Sequence, residues 1–294
     1  MDASGDPASE LLALLDLQTR EKGLFSGPPA PDERSRVFGG HVLAQALAAA
    51  CFTAPPDWPC HSLHAYFLRP GKPGRPIDYE VMAMRDGSSF ATRKVVAVQR
   101  DEVNLELIAS FERDESGAEY HEPMPETPLP ETFPPEAERL ARMLENAPAE
   151  LREQMMRKRP IEAIRVDARD FRDRTPYSGP IRTWMRARGT LVDDPNLHRA
   201  ALTYASDMGM LEPSLRAIGT SFGDPALQVA SLDHALWFHR PFRFDDWLLF
   251  VFESGSVAAG RGFNRGRVYA RDGRLVASIA QEGVMRKREA LAAL

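Results

Sequence analysis

The chain has 294 residues, 43% of them hydrophobic and 27% charged, with a formal net charge of −5. These are the proportions of an ordinary globular protein, the mild acidity gives no reason to expect nucleic acid or an anionic membrane as partner, and no apolar run approaches the ~20 residues of a membrane span. The two cysteines, Cys51 and Cys60, read as reduced packing thiols, and the acidic start MDASGDPASE lacks the layout of a secretory leader, so a cytoplasmic protein is expected.

Asp6 followed by Pro7 suits a helix start, and Leu11, Leu12, Leu14, Leu15 and Leu17 predict a short amphipathic helix docked on the core. The stretch VFGGHVLAQALAAAC, Val37 to Cys51, predicts a helix opened by Gly39 and Gly40 that is apolar or small nearly all round, and such a helix is a buried one. It carries no Asp or Glu. Its glycines allow two readings: free N–H groups that polarise a carbonyl or hold an anion, or simple permission for close packing.

Strand-like segments follow at His61–Pro70, Ile77–Gly87, Ser89–Asp101 and Val103–Arg113, with turns at Arg85–Gly87 and Arg100–Glu102. One buried helix followed by antiparallel strands is an α+β unit with its sheet wrapped around the helix. Prolines crowd Pro123 to Pro135 and a charged stretch comes next, which predicts a linker with a surface helix. The expected division is therefore 1–116, a linker at 117–179, and 180–294.

The second half repeats the plan. Ile181–Gly189 reads as a strand, Asp194-Pro195 as the start of a helix through about Met208, and Gly209 as its C′ residue. Strands are then predicted at Ser231–Pro241 and onward to the QEG segment at Gln281. Phe67-Leu68-Arg69-Pro70 recurs as Phe238-His239-Arg240-Pro241, and Arg100-Asp101 recurs as Arg271-Asp272 at the same spacing, which points to internal duplication.

Several chemistries lack their residues. There is no G-x-S-x-G elbow, the Gly260–Gly266 run misses the dinucleotide spacing, and the histidines show no metal-ligand spacing. His61 and His64, three apart on a strand, are expected on opposite faces. Neither a metal nor a cofactor is expected. Continuous alternation through 231–238 puts Ser231, Asp233, Ala235 and Trp237 on one face and Leu232, His234, Leu236 and Phe238 on the other, so no Ser231–His234 pair is expected. What remains is an acid, a hydroxyl and an amide. Asp207 falls at a helix C-terminus, where the dipole disfavours negative charge and partial burial raises a carboxyl pKa, as suits a general base for water. Ser231 and Gln281 can each hold that water. The same three residues can equally be read as a cap and ordinary strand polars.

The strings RVFGGHVLAQAL, HSLHAYFLRPG, RDGSSF, YASDMGML, SLDHALWFHRPF and ARDGRLVASIAQEGVMR resemble acyl-CoA thioesterase II, the TesB type, over nearly the whole chain. The resemblance implies a double hotdog, two tandem antiparallel sheets each wrapped around a long helix. It implies hydrolysis of fatty acyl-CoA to fatty acid and CoA, with a catalytic set that falls, by motif, on Asp207, Ser231 and Gln281. The hydroxyl position is often Thr in that family and is Ser here, which keeps the hydroxyl and loosens the rotamer. Because the first predicted helix has no acid, one active site per chain is expected, with Gly39, Gly40 and His64 as candidate substrate-binding residues. A homodimer or homotetramer is expected. The alternatives are a hotdog enoyl-CoA hydratase and a non-catalytic acyl-CoA binding or sensor protein.

Overall fold

The predicted helix at Val37–Cys51 is the element around which the first half closes. In a computed structural model, which describes residues 8–30, 36–145, 160–169, 173–222 and 224–288, it spans Gly39–Cys51 (α2) and is buried almost throughout. Its polar Gln45 is fully enclosed and fully used: the amide nitrogen donates to the Leu14 and Pro28 carbonyls, and Tyr79 Oη donates to Oε1 at 2.7 Å. A buried amide left unpaired would cost roughly 1–3 kcal/mol, so these bonds are what lets Gln45 sit there.

Before α2 come α1 (Ser9–Leu15) and a small hairpin, β1 (Gln18–Glu21) and β2 (Leu24–Gly27); after it come β3 (Cys60–Phe67), β4 (Ile77–Asp86), β5 (Phe90–Gln99) and β6 (Glu102–Glu112). The Asp6-Pro7 helix start lies outside the described residues. Arg100 and Asp101 take positive φ values of 53° and 62°, which closes the tight β5–β6 hairpin where a turn was expected. The linker holds a 3₁₀ turn (Pro130–Thr132) and α3 (Glu136–Met143), and the rest of the predicted surface helix lies outside the described residues.

The second half contains β7 (Ile161–Arg165), β8 (Ile181–Ala187), α4 (Pro195–Ser206), α5 (Glu212–Ala217), β9 (Leu227–Ser231), β10 (Asp233–Phe238), β11 (Leu248–Ala258), β12 (Arg261–Ala270) and β13 (Leu275–Lys287). Strand order in the first half is β2-β4-β5-β6-β3, and in the second β8-β11-β12-β13-β10. The two orders correspond element by element, as duplication requires. β3 and β10 pair antiparallel, with His64 opposite Ala235, and this seam makes one 13-stranded sheet. The fold is a double hotdog: α2 and α4 lie packed against each other inside the sheet's curve. α5 and β9 occupy the longer connection between α4 and β10; α5 has no counterpart in the first half, and β9 has one only at its last residue, Ser231.

The linker lies on the outer face of the second half. Trp184 Nε1 donates to the Pro128 carbonyl at 2.9 Å, Arg182 Nη1 to the Glu126 carbonyl at 2.8 Å, and Met124 and Phe133 pack on Trp184, Trp247 and Leu249. The matching outer face of the first half is bare, with Tyr66 62%, Met82 61% and Ile108 51% exposed. Among the described residues no helix is long and apolar enough to cross a membrane.

Candidate active site

The site forms where the C-terminus of α4 meets the N-terminus of α2. Asp194 caps α4 by accepting from the Asn196 N–H at 2.8 Å, and the helix stops at Ser206, two residues short of the predicted end, leaving Asp207 as C-cap. Gly209, with φ of 80°, turns the chain away one position beyond C′. Asp207 Oδ2 accepts from the Gly40 N–H at 3.0 Å. Both readings of the glycine pair therefore hold, and the anion at the helix start is Asp207 itself. A Cβ on Gly40 would lie 2.2 Å from the Tyr204 carbonyl oxygen, and one on Gly39 would lie 2.7 Å from Asp207 Oδ2.

Ser231 arrives by a route that alternation does not show. β9 pairs with β13 through Ser231↔Gly283, and β10 pairs with the same strand through Ala235↔Ala280. Four steps on one strand oppose three on the other, so one extra residue is inserted at the break around Leu232, a β-bulge. Ser231 is thereby turned to the inner face with His234, Leu236 and Gln281, and away from Asp233 and Trp237. This corrects the expected grouping of Ser231 with Asp233. A matching irregularity lies between Cys60 and Ser62 on β3. It turns His61 outward, where it bonds Ser110 Oγ at 2.8 Å and meets Phe90 edge-on, so His61 and His64 share the outer face and do not oppose each other.

Three side chains predicted to converge lie together. Gln281, 1% exposed, donates from Nε2 to Ser231 Oγ at 2.6 Å and to Asp207 Oδ1 at 3.1 Å, and Ser231 Oγ lies 3.4 Å from Asp207 Oδ1. Burial pushes the Asp207 carboxyl up to about 6, against the hydrogen bonds from Gln281, Gly40 and Ser231 and the charge of Arg36, which pull it down. At neutral pH it is an ionised, poorly solvated carboxylate, basic enough to take a proton from water. Phe67 approaches Gly39, and Phe38 stacks edge-on to Tyr204 with ring centroids 5.2 Å apart, so the carboxylate has an aromatic surround. Arg36, whose charge bears on Asp207, donates to the Val229 carbonyl at 2.8 Å.

His64 is not part of this cluster. It lies on the exposed outer face, edge-on to Trp237 at 5.0 Å between centroids. Two residues that spacing did not single out complete the site from behind: His234 Nδ1 is 2.6 Å from Gln281 Oε1, and His234 Nε2 is 2.8 Å from Ser206 Oγ. Both are fully buried, and a histidine on the apolar face of a strand was the only signal for them. Among the described residues, no group of three or more His, Cys, Asp and Glu is arranged to hold a metal.

The first half has the scaffold without the chemistry. Arg93↔Ala109 is the pair that corresponds to Asn264↔Gln281, and Cys60↔Phe111 corresponds to Ser231↔Gly283. The amide becomes Ala109 and the hydroxyl Cys60, whose thiol burial pushes up to about 12. α2 ends in Cys51-Phe52 where α4 ends in Ser206-Asp207.

Comparison with known proteins agrees with this architecture. The family model described as Acyl-CoA thioesterase matches residues 165–284, and that for the Acyl-CoA thioesterase N-terminal domain matches residues 28–112. Acyl-CoA thioesterase 2 of Haemophilus influenzae is 34% identical over 97% of this chain and 99% of its own length. Human acyl-coenzyme A thioesterase 8 is 33% identical over 96% of this chain and 92% of its own. Among solved structures, acyl-CoA thioesterase II TesB2 of Mycobacterium marinum superimposes with a TM-score of 0.76 at 34% identity, covering 95% of this chain and 97% of that one.

Proposed function

The chain belongs to the acyl-CoA thioesterase family and is a thioester hydrolase, and on that premise we propose that it hydrolyses fatty acyl-CoA to fatty acid and CoA by direct attack of water activated by Asp207. The observation that carries the reading is the convergence of Gln281 Nε2 and Ser231 Oγ on Asp207 Oδ1, beside a carboxylate whose pKa burial raises to about 6.

A water seated between Asp207 Oδ1, Ser231 Oγ and Gln281 Nε2 gives its proton to Asp207 as its oxygen attacks the thioester carbonyl. The tetrahedral intermediate collapses with cleavage of the C–S bond, and the proton on Asp207 goes to the departing CoA sulfur. Charge on the carbonyl oxygen is met by the N-terminal peptide groups of α2, at the positive end of its dipole. Positioned base catalysis contributes roughly 10²–10⁴-fold, and a lost oxyanion donor costs about 10²–10³-fold. Gly39 and Gly40 serve the substrate by letting this helix start come within reach of the carbonyl.

The first half, residues 1–116, supplies α2 and the aromatic wall; residues 117–179 hold the linker and, at Ile161–Arg165, the edge strand β7 of the second half; residues 180–294 carry the acid, hydroxyl and amide. One active site per chain follows from the Cys60 and Ala109 replacements. The bare outer face of the first-half sheet supports a homodimer or homotetramer, since its twin in the second half is covered by the linker.

The test is thiol release from saturated acyl-CoAs of short to long chain, wild type beside Asp207→Ala. Release that depends on Asp207 is the expected result. Binding without release by the wild type would instead make the protein an acyl-CoA sensor.

A further inference from the structure

The orientation of the Gln281 amide decides whether the site can work. Its Nε2 reaches two oxygens, Ser231 Oγ and Asp207 Oδ1, so Oε1 is the atom turned to His234 Nδ1 at 2.6 Å. An amide oxygen only accepts, so Nδ1 must carry the ring proton. Burial pushes the His234 pKa down to about 4, which keeps the ring neutral and leaves Nε2 an acceptor. Ser206 Oγ lies 2.8 Å from Nε2 and 2.8 Å from the Thr203 carbonyl, and has one proton to share between these two acceptors. Ser206 adjoins Asp207 in sequence, so these bonds close a ring through the end of α4, β10 and β13.

We propose that His234 is a positioning residue for the hydrolysis: its Nδ1–H holds the Gln281 amide with nitrogen toward Asp207 and Ser231. A flipped amide would present its oxygen to the carboxylate and the serine, remove a donor from each, and unseat the water. The inference rests on the reading of Asp207, Ser231 and Gln281 as the catalytic set. It adds a requirement that the set alone does not contain, because His234 touches neither the water nor the substrate. The groups bearing on Asp207 are Gly40 N–H, Ser231, Gln281 and Arg36, and the hydrogen-bond partners of His234 are neutral.

The ring nitrogens can be tested separately. In His234→Asn the amide nitrogen falls near the place of Nδ1 and still donates to Gln281; in His234→Gln the amide reaches the place of Nε2 and meets Ser206 instead. Thiol release from an acyl-CoA that the wild type hydrolyses is measured for both across pH, beside Asp207→Asn. His234→Gln is expected to lose on the order of 10–100-fold in kcat with little change in KM. Its acid limb should move up by about one pH unit, as loss of a hydrogen bond to a carboxylate raises that group's pKa. His234→Asn is expected to stay within a few-fold of wild type with the limb in place. Equal losses in the two variants, or wild-type behaviour in His234→Gln, would overturn the proposal. If Asp207→Asn is inactive in those cases, the catalytic set stands without it; if Asp207→Asn is active, the set itself falls. Should His234→Gln fail to fold, His234→Ala carries the test: kcat reduced on the order of 10–100-fold with a raised acid limb is expected, and a wild-type profile would refute the role.

Discussion

Gly40→Ala tests the meeting of the two helices with a single methyl group. The new Cβ would lie 2.2 Å from the Tyr204 carbonyl oxygen, whereas ordinary contact begins near 3.4 Å. The obstacle is backbone, so the start of α2 must move by about 1 Å, and overpacking of this kind costs about 1–3 kcal/mol. Alanine's better helix propensity returns at most about 1 kcal/mol of that. The same movement takes the Gly40 N–H away from Asp207 Oδ2, a bond now 3.0 Å long. Losing a hydrogen bond to a charged group is worth about 1.5–3 kcal/mol, or roughly one to two pH units in the carboxyl pKa. Melting should drop by a few degrees, kcat/KM should fall by up to about 10²-fold, and the acid limb should move to higher pH. Gly117→Ala, where a Cβ meets nothing within 4 Å, is the control and should change none of these. Wild-type melting and pH profile in Gly40→Ala would show that the helices do not meet in the way described.

Three further outcomes follow from the same geometry. The wild-type kcat/KM profile should fall on the acid side with a midpoint near the Asp207 pKa of about 6, because protonation there removes the base; a midpoint near pH 4 would mean an unburied carboxyl. Since that value lies above the ~3.9 of an unfolded aspartate, ionised Asp207 costs stability, nothing below about pH 4 and fully above about pH 6. Denaturant titrations of Asp207→Asn should accordingly gain on wild type between pH 4 and pH 7, by at most about 3 kcal/mol, and a pH-independent difference would contradict the burial. Ser231→Thr, which keeps the hydroxyl, should retain kcat within a few-fold, while Ser231→Ala should lose on the order of 10-fold or more through the lost hydrogen bond; equal activity in the two variants would remove the hydroxyl from the mechanism.

Much of this was legible in the sequence for physical reasons. A helix without a polar face has to be buried, and α2 is; the recurrence of Phe67-Leu68-Arg69-Pro70 at Phe238 marked a duplication that the two strand orders bear out. The short hairpin β1–β2 and β7 escaped because four or five residues carry too little periodicity. The face of Ser231 was misjudged because a bulge shifts register by one residue without leaving any trace in the pattern of residue types. His64 looked like a site residue because it neighbours a family motif, yet a strand position fixes its face, and that face is the outer one. His234 was set aside as unable to pair with Ser231. It reaches Ser231 through Gln281, a contact between β10 and β13 that only the tertiary fold creates.

The central claim is that Asp207 takes a proton from water and is not itself acylated. A single turnover with enzyme in excess over acyl-CoA in H₂¹⁸O, with a parallel quench into hydroxylamine to trap any acyl-Asp207 as a hydroxamate, distinguishes the two routes. Direct attack places one ¹⁸O in the fatty acid from the first turnover and none in the peptide containing Asp207. An unlabelled fatty acid, with ¹⁸O appearing in Asp207, would show a mixed anhydride opened by water at the aspartyl carbonyl and would contradict the mechanism.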